Sequence, residues 1–274
     1  MSRIAQTSLG RLPGSLGATR RRGVQLALTL AALSIAAAAR AQTPAAVPAV
    51  PVAPSDDPCA RVAADPAHRD WPDLCRYHAA NAQVIARRRA PGIVFLGDSI
   101  TEFWQRGDPA LFGANTVDRG ISGQTTAQIV LRVYPDVVAL HPRLVHIMAG
   151  TNDVAGNAGP VGDDTVIDNV RAMIDIARTN HIGVILASIP PARAFPWAPE
   201  LRPAARIVAL NRRLHDLAVE RGATWVDYHA ALADADGGML TALADDGVHP
   251  NARGYAVMRK LTDAAIAEAG GKGG

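Results

Sequence analysis

Two short polar blocks carry the residue types of nucleophilic catalysis. Ser99 stands in Gly97-Asp98-Ser99, directly after an apolar run, and Asp246 comes three residues before His249 in Asp-Gly-Val-His-Pro. A serine hydroxyl is a poor nucleophile unless a neighbouring base takes its proton. A histidine held by a carboxylate can take that proton and return it to a leaving alkoxide. Ser99, His249 and Asp246 are therefore candidates for the nucleophile, the base and the carboxylate that orients the base.

Two further blocks could supply hydrogen-bond donors to a reacting oxygen. Gly123 lies in Ser-Gly-Gln just before a helical pattern, and Asn152 lies in Gly-Thr-Asn-Asp after another apolar run. A glycine lets the backbone approach closely, and an asparagine amide donates without carrying a charge. Such donors stabilise the negative oxygen of a tetrahedral intermediate. Taken singly, Ser99 could be a helix cap, Asn152 a turn residue and His249 a surface histidine, but the four blocks together favour a site.

Strands and helices alternate along the chain that must position these blocks. Because the strands are separated by helical segments, we expect a parallel sheet with helices on both faces, in one α/β domain over residues 92–270. In such sheets, ligands bind outside the carboxyl ends of the strands, where the four blocks fall. The apolar runs that predict strands are 93–96, 144–149, 184–189 and 224–227, and helical spacing covers 125–140, 165–179, 204–221 and 252–269.

These blocks resemble those of the SGNH (GDSL) hydrolases, from about Gly92 to the last helix. The runs Phe-Leu-Gly-Asp-Ser-Ile-Thr-Glu-Phe-Trp, Arg-Gly-Ile-Ser-Gly-Gln-Thr-Thr and Ala-Gly-Thr-Asn-Asp are similar to the branch that holds platelet-activating-factor acetylhydrolase subunits and related bacterial esterases. The resemblance implies a flavodoxin-like three-layer α/β/α fold with a parallel central sheet, and an ester hydrolase without a cofactor. It implies a catalytic triad of Ser99, His249 and Asp246, with an oxyanion hole from Ser99 N–H, Gly123 N–H and the Asn152 side chain.

Residues 1–41 have the pattern of a secretory signal peptide. Five arginines and no acid occupy residues 1–22, an apolar stretch covers 23–39, and Ala39-Arg40-Ala41 suits cleavage before Gln42. The apolar stretch is short for a membrane span, although an uncut anchor is the alternative. The Arg20-Arg21-Arg22 run leaves the general and the twin-arginine export routes both open. We expect an exported protein, periplasmic or secreted, with no stable membrane span after cleavage.

A linker and a pair of cysteines follow the leader. Residues 42–58 hold five prolines among alanines and valines, which is typical of an extended tether. Residues 59–91 form an N-terminal extension that contains Cys59 and Cys75, the only cysteines of the chain. In an exported protein such a pair predicts a disulfide, worth roughly 3 kcal/mol for a loop of this length. His68 and His78 lie nearby without ligand-type spacing, so no metal site is predicted.

The partners follow from the charge and from one proline-rich loop. Six arginines of the leader account for the basic character, since the remainder holds 22 basic and 25 acidic residues. A nucleic-acid partner is therefore not expected. The loop 190–199 follows a strand, and its Phe195 and Trp197 are candidates to line an acyl or alcohol pocket. The alternative is a stiff loop that buries its own aromatic rings.

The function predicted from the sequence is an exported serine esterase. It would hydrolyse small or short-chain acyl esters, with acetyl as the expected acyl group and a small molecule or a carbohydrate as the alcohol. An acyltransferase that uses the same residues is the first alternative. A catalytically silent domain that binds glycans or esters is the second. Asp98 and Asp153 flank the site without a third metal ligand, so they are predicted to make structural hydrogen bonds.

Overall fold

The computed structural model describes residues 57, 59–60, 62 and 70–271. The predicted signal peptide at 1–41 and the predicted linker at 42–58, apart from Asp57, lie outside these residues. Within the part that is described, no helix combines the length and the apolar character needed to cross a membrane.

Five parallel strands form the central sheet. They are β1 (Ile93–Gly97), β2 (Thr116–Gly120), β3 (Leu144–Met148), β4 (Gly183–Ala187) and β5 (Thr224–Val226), in the spatial order β2-β1-β3-β4-β5. This order is that of the flavodoxin-like doubly wound folds. The predicted parallel sheet is confirmed, with one strand more than the apolar runs indicated. The hydrophobic pattern did not predict β2, because its buried residues include the charged Asp118 and Arg119.

The helices fall close to their predicted positions. The helix predicted over 125–140 ends at Asp136, one residue after Pro135, and a short 3-10 turn (Val138–Leu140) completes the segment. A proline has no N–H to donate to the preceding turn, so it favours a helix end at this point. The helices are α1 (His78–Ala86), α2 (Ser99–Gly107), α3 (Thr126–Asp136), α4 (Thr151–Ala155), α5 (Asp163–Thr179), α6 (Ala204–Arg221), α7 (Tyr228–Leu232) and α8 (Ala252–Gly271).

Each face of the sheet carries its own apolar core. Alternate strand residues point to opposite faces, so Val94 and Leu96 of β1 pack with α3, α5 and α6. Ile93 and Phe95 of the same strand pack with α2, α7 and α8 on the other face. The result is the predicted three-layer α/β/α arrangement. It fixes the carboxyl ends of β1 and β3 beside each other, since the two strands are paired along their length.

The end of the N-terminal extension contacts the loop that follows β2. Gln124 Nε2 donates to the carbonyl of Pro72 at 2.9 Å and to Asp73 Oδ2 at 3.0 Å. Tyr77 donates from its hydroxyl to the carbonyl of Gly120 at 2.5 Å. The extension therefore braces this loop from outside the sheet.

Cys59 and Cys75 are paired in the structure, with their Cα atoms 5.3 Å apart. The pairing agrees with the bridge predicted from the sequence. That the two thiols are oxidised to a disulfide in the cell, and that the protein is therefore exported, stay predictions.

His146 lies in the middle of β3 and is fully buried. Its Nε2 is 2.9 Å from the Tyr228 hydroxyl, which is 2.6 Å from Thr262 Oγ1, and Thr262 donates in turn to the carbonyl of Met258. Thr262 has one proton, so Tyr228 donates to Thr262 and accepts from His146 Nε2–H. Nδ1 has no partner. Burial lowers the pKa of His146 to about 3, because a second proton would place an unpaired charge in the core.

Candidate active site

Ser99 is the first residue of α2, and only Asp98 separates it from the end of β1. Asp98 caps this helix by accepting a hydrogen bond from Ile100 N–H at 3.0 Å, so capping falls to Asp98 and the Ser99 hydroxyl is left for another partner. That partner is His249, whose Nε2 lies 2.9 Å from Ser99 Oγ across 150 residues of sequence. Ser99 is only 7% exposed, so the hydroxyl is reached through a cavity and not from a flat surface.

Asp246 holds His249 through both its side chain and its backbone. Asp246 Oδ2 lies 2.6 Å from His249 Nδ1, and Oδ1 accepts from the N–H groups of Val248 at 2.9 Å and His249 at 2.8 Å. Partial burial pushes the pKa of Asp246 upward, but these hydrogen bonds outweigh it and the net pKa lies below the usual value. The carboxylate therefore stays ionised and fixes Nδ1 as the protonated nitrogen, which leaves Nε2 to accept the serine proton.

Two aromatic rings flank the imidazole of His249. The ring centroid of Phe103 lies 5.1 Å from it, and that of Trp197 lies 6.0 Å away. Arg106 places its guanidinium carbon 4.2 Å from the Phe103 ring centroid, a cation–π arrangement. The rings limit both the rotation of the imidazole and its access to water.

Gly123 and Asn152 come to the same place from two different loops. Gly123 lies in the loop between β2 and α3 with φ +80°, a left-handed conformation that favours glycine, and a Cβ there would meet no neighbour within 4 Å. Asn152 lies in the first turn of α4, four residues after the end of β3. Both line a cavity of about 220 Å³ together with Ser99. The residues lining it are Ser99, Phe103, Ser122, Gly123, Asn152, Asn157, Trp197 and His249.

The amide of Asn152 is hydrogen-bonded on both of its atoms. Nδ2 donates to the carbonyl of Gln124 at 3.0 Å and to Asp98 Oδ2 at 3.3 Å, and Oδ1 accepts from Asn157 Nδ2 at 2.6 Å. The contact with Asp98 is the longest of the three and hence the weakest. An oxygen of a reacting ester could therefore replace Asp98 as the acceptor of this hydrogen bond with little loss of free energy.

Asp98 and Asp153 make the structural hydrogen bonds predicted from the sequence. Asp98 caps α2, and Asp153 accepts from Thr126 N–H at 2.9 Å and Thr126 Oγ1–H at 2.6 Å. Burial, reinforced by the neighbouring Asp153, raises the pKa of Asp98 to about 7. Burial also raises the pKa of Asp153, against the hydrogen bonds from Thr126. Two acidic groups with raised pKa values thus lie next to Ser99 and to Asn152 in the chain.

The structure corrects one of the two residues proposed to line the pocket. Trp197 lines the cavity and is 44% exposed, whereas Phe195 is fully buried. The Phe195 ring stacks against Trp197 with centroids 5.3 Å apart, so it supports the indole from behind and does not face the cavity. Both readings of this loop thus hold in part: one ring faces the site and the other is buried by its own loop.

Phe103, Ser122 and Asn157 line the cavity without having been predicted. A signal existed for Phe103, which stands four residues after Ser99 and so shares its face of α2. Ser122 is adjacent to Gly123. Asn157 had no such signal, because its return to the site depends on the turn after α4, where its N–H bonds to the carbonyl of Asn152 at 3.0 Å.

A metal site finds little support among the described residues. The one group of three ligand-type side chains found there is Asp57, Cys59 and His78. Cys59 is bonded to Cys75 in the structure, and a sulfur in a disulfide is not a thiolate ligand.

The comparisons with known proteins agree on a family. Residues 95–257 match the GDSL-like lipase/acylhydrolase family. The chain is similar to the crystal structure of a protein of Bacteroides fragilis assigned as an acylhydrolase, with 38% identity over 73% of this chain and 99% of that one and a TM-score of 0.70. It is also similar to the crystal structure of a GDSL-like lipase of Bacteroides thetaiotaomicron, with 38% identity over 73% of this chain and 100% of that one and a TM-score of 0.68.

A more distant likeness is to a Streptococcus pneumonia structure named for platelet activating factor. It has 25% identity, covers 70% of this chain and 90% of that one, and has a TM-score of 0.61. No curated protein matches the chain. The chain belongs to the GDSL-like lipase/acylhydrolase family, which is a family of ester hydrolases, and the family resemblance expected from the sequence is confirmed.

Proposed function

We propose that this protein is an exported serine esterase that hydrolyses esters of small or short-chain acyl groups. The observation that carries the proposal is the continuous hydrogen-bonded series from Ser99 Oγ to His249 Nε2 at 2.9 Å and from His249 Nδ1 to Asp246 Oδ2 at 2.6 Å. Three side chains from two distant parts of the sequence meet there in the order that activates a serine. Membership of an ester-hydrolase family supports the same reaction class.

The first half of the reaction forms an acyl-enzyme. Ser99 Oγ attacks the carbonyl carbon of the ester while its proton passes to His249 Nε2, and Asp246 stabilises the resulting imidazolium. The negative oxygen of the tetrahedral intermediate accepts hydrogen bonds from Ser99 N–H, Gly123 N–H and Asn152 Nδ2. His249 then gives its proton to the leaving alkoxide, and the C–O bond to the alcohol breaks.

The second half regenerates the enzyme. Water enters the position that the alcohol has left, and His249 Nε2 takes its proton as the water oxygen attacks the acyl carbon. The same donors hold the second oxyanion. Collapse of this intermediate returns the proton to Ser99 Oγ and releases the carboxylic acid.

The size of the cavity supports a short acyl group. Its volume of about 220 Å³ lies below the roughly 300–1,000 Å³ of pockets that hold drug-sized ligands. The walls Phe103 and Trp197 are aromatic, and Ser122 and Asn157 add polar groups. We therefore expect acetyl esters to be preferred, with the alcohol part packing toward the exposed indole of Trp197.

Export is supported by the leader pattern and by the cysteine pair. Residues 1–41 lie outside the described residues, so this part of the proposal rests on the sequence. The full chain and a variant that lacks residues 1–41 would each be produced in a bacterial host, and the cell fractions would be assayed for the protein. We expect export of the full chain alone. Retention of the full chain in the cytoplasm would contradict export.

An ester panel tests the proposed reaction and its acyl preference. Wild-type protein and Ser99→Ala would be assayed on chromogenic esters from acetate to palmitate and on acetylated sugars. We expect the highest kcat/KM on acetate, a decline with each longer acyl chain, and near-background rates for Ser99→Ala. Equal turnover of palmitate would contradict the short-chain preference, and no turnover of any ester would support a silent binding domain. Ester products formed from added alcohols in place of free acid would indicate an acyltransferase.

A further inference from the structure

An unbroken hydrogen-bonded series joins the outer wall of the cavity to the proposed oxyanion donor. Trp197 Nε1–H donates to Asn157 Oδ1 at 3.0 Å, and Asn157 Nδ2–H donates to Asn152 Oδ1 at 2.6 Å. Asn152 Nδ2 then faces the carbonyl of Gln124 and the carboxylate of Asp98. Trp197 and Asn157 are 40 residues apart in sequence, and neither belongs to the triad.

The chemistry of the two ends removes the ambiguity of the amides between them. The oxygen and nitrogen of an asparagine amide have nearly the same shape, so hydrogen-bonding partners decide which way the group faces. An indole N–H can only donate, so Asn157 must turn its oxygen to Trp197 and its nitrogen to Asn152. Asn152 must then turn its oxygen to Asn157, which leaves Nδ2 on the side of the cavity.

The opposite end of the series demands the same orientation. The carbonyl of Gln124 can only accept a hydrogen bond, so it too requires Nδ2 of Asn152 on its side, and Asp98 accepts in the same way when its carboxylate is ionised. Both ends therefore favour one orientation of the catalytic amide. The indole itself is held in place because its ring stacks on the fully buried Phe195.

We propose that Trp197 and Asn157 are positioning residues that hold the Asn152 amide with its N–H directed at the oxyanion. This inference rests on the proposed function, since it assigns a second role to a wall of the same cavity. Trp197 is then both a surface for the alcohol part of the substrate and the outer anchor of the oxyanion hole. A flipped Asn152 would present its oxygen to a negative oxygen and repel the transition state.

The energetic consequence lies in kcat more than in KM. The orientation of Asn152 matters most when charge develops on the reacting oxygen, because the ground-state carbonyl carries little charge. A lost neutral hydrogen bond of this kind lowers a rate by about 2- to 12-fold. Removal of the donor itself lowers it by about 10²- to 10³-fold.

The test is a set of single and double variants assayed on one acetate ester. Trp197→Phe keeps an aromatic ring against Phe195 but deletes the five-membered ring that carries the N–H, and Asn157→Ala deletes the middle link. We expect kcat to fall about 2- to 12-fold in each, with KM changed by less than about threefold. In the Asn152→Ala background, the same two substitutions should change kcat by less than about twofold, because the group that they orient is gone.

Matched controls separate positioning from folding. Trp71→Phe alters an exposed tryptophan outside the series. Asn180→Ala alters the asparagine after α5, next to the amino end of β4 and away from the carboxyl ends of the strands where the cavity lies. Both should keep kcat within about twofold of wild type. The melting temperature of every variant would be measured, so that kcat refers to folded protein.

Two results overturn the inference in different ways. If Trp197→Phe and Asn157→Ala lower kcat by the same factor with and without Asn152, the two residues act independently of the amide. The proposed esterase mechanism would survive that result. If Asn152→Ala itself keeps nearly full kcat in a folded protein, Asn152 is not an oxyanion donor, and both the positioning role and that part of the proposed function are wrong.

Discussion

Replacing Asp246 with asparagine should change which ring nitrogen of His249 carries the proton, while the backbone of the loop stays in place. Asp246 Oδ1 accepts from two backbone N–H groups, those of Val248 and His249, and only an oxygen can do so. In Asp246→Asn that oxygen stays where it is, and the NH₂ group takes the position 2.6 Å from His249 Nδ1. An NH₂ group cannot accept, so Nδ1 becomes the unprotonated nitrogen and the proton moves to Nε2, facing Ser99.

The magnitude follows from that reversed tautomer. A protonated Nε2 cannot take the serine proton, so the general base is lost although every residue remains in position. The equivalent change in the serine protease triad lowers kcat about 10⁴-fold, which corresponds to about 5 kcal/mol of transition-state stabilisation at 1.36 kcal/mol per tenfold. We expect kcat on an acetate ester to fall by about 10³- to 10⁴-fold in Asp246→Asn.

The assay compares kcat, KM and the melting temperature of Asp246→Asn with those of Asp245→Asn. Asp245 is the adjacent acid, and its Oδ1 accepts from Asn251 Nδ2 at 3.1 Å, away from the imidazole. Asp245→Asn should keep kcat within about threefold. Both melting temperatures should stay within a few degrees of wild type, because the backbone hydrogen bonds persist. A folded Asp246→Asn with kcat within tenfold of wild type would refute the role of Asp246.

Three further predictions concern the pH dependence of stability, the loop that carries Gly123, and the two cysteines. The pKa of His146 is about 3 in the folded protein and about 6.5 in the unfolded chain, so the unfolded chain takes up a proton first and stability falls as the pH drops below 6.5. Between pH 7 and pH 5, the free energy of unfolding measured in urea should fall by about 2 kcal/mol less in His146→Phe than in wild type. Identical decreases in the two proteins would contradict this. Gly123→Ala places a side chain at φ +80°, so it should lower the stability by about 1 kcal/mol and should also lower kcat. The control Gly222→Ala, at φ +61°, should lower the stability alone. An unchanged kcat in Gly123→Ala would show that this loop does not form part of the oxyanion hole. Intact-mass analysis of exported protein should find Cys59 and Cys75 alkylated only after reduction, and two free thiols in native protein would contradict the bridge.

The sheet was predictable where its strands are apolar. Runs such as Ile93–Leu96 are buried on both faces, so their composition alone indicates a central parallel strand. Strand β2 is different, because Asp118 and Arg119 occupy buried positions. Arg119 is tolerated there since its Nε donates to Asn81 Oδ1 at 2.8 Å. A pattern of hydrophobicity cannot anticipate a partner that a separate helix supplies.

The site was predictable where its residues follow strands. Ser99 and Asn152 follow β1 and β3, so the topology of a parallel sheet was enough to bring them together. Asn157 and Trp197 depend on the turn after α4 and on the path of the loop 190–199. Neither path follows from local sequence, because both are set by packing, as in the burial of Phe195 beneath Trp197. Local sequence thus indicated the proposed reacting groups but not Asn157 and Trp197, whose positions depend on packing.

Covalent labelling with a fluorophosphonate tests the central claim most directly, because the reagent reacts much faster with a serine that a neighbouring base has activated. Mature wild-type protein and Ser99→Ala would be labelled and then mapped by peptide mass spectrometry. The geometry of Ser99 Oγ and His249 Nε2 predicts one modified peptide, with the adduct on Ser99, and loss of ester hydrolysis in proportion to labelling. Ser99→Ala should remain folded and unlabelled. An adduct at another serine, or full esterase activity in Ser99→Ala, would contradict the account.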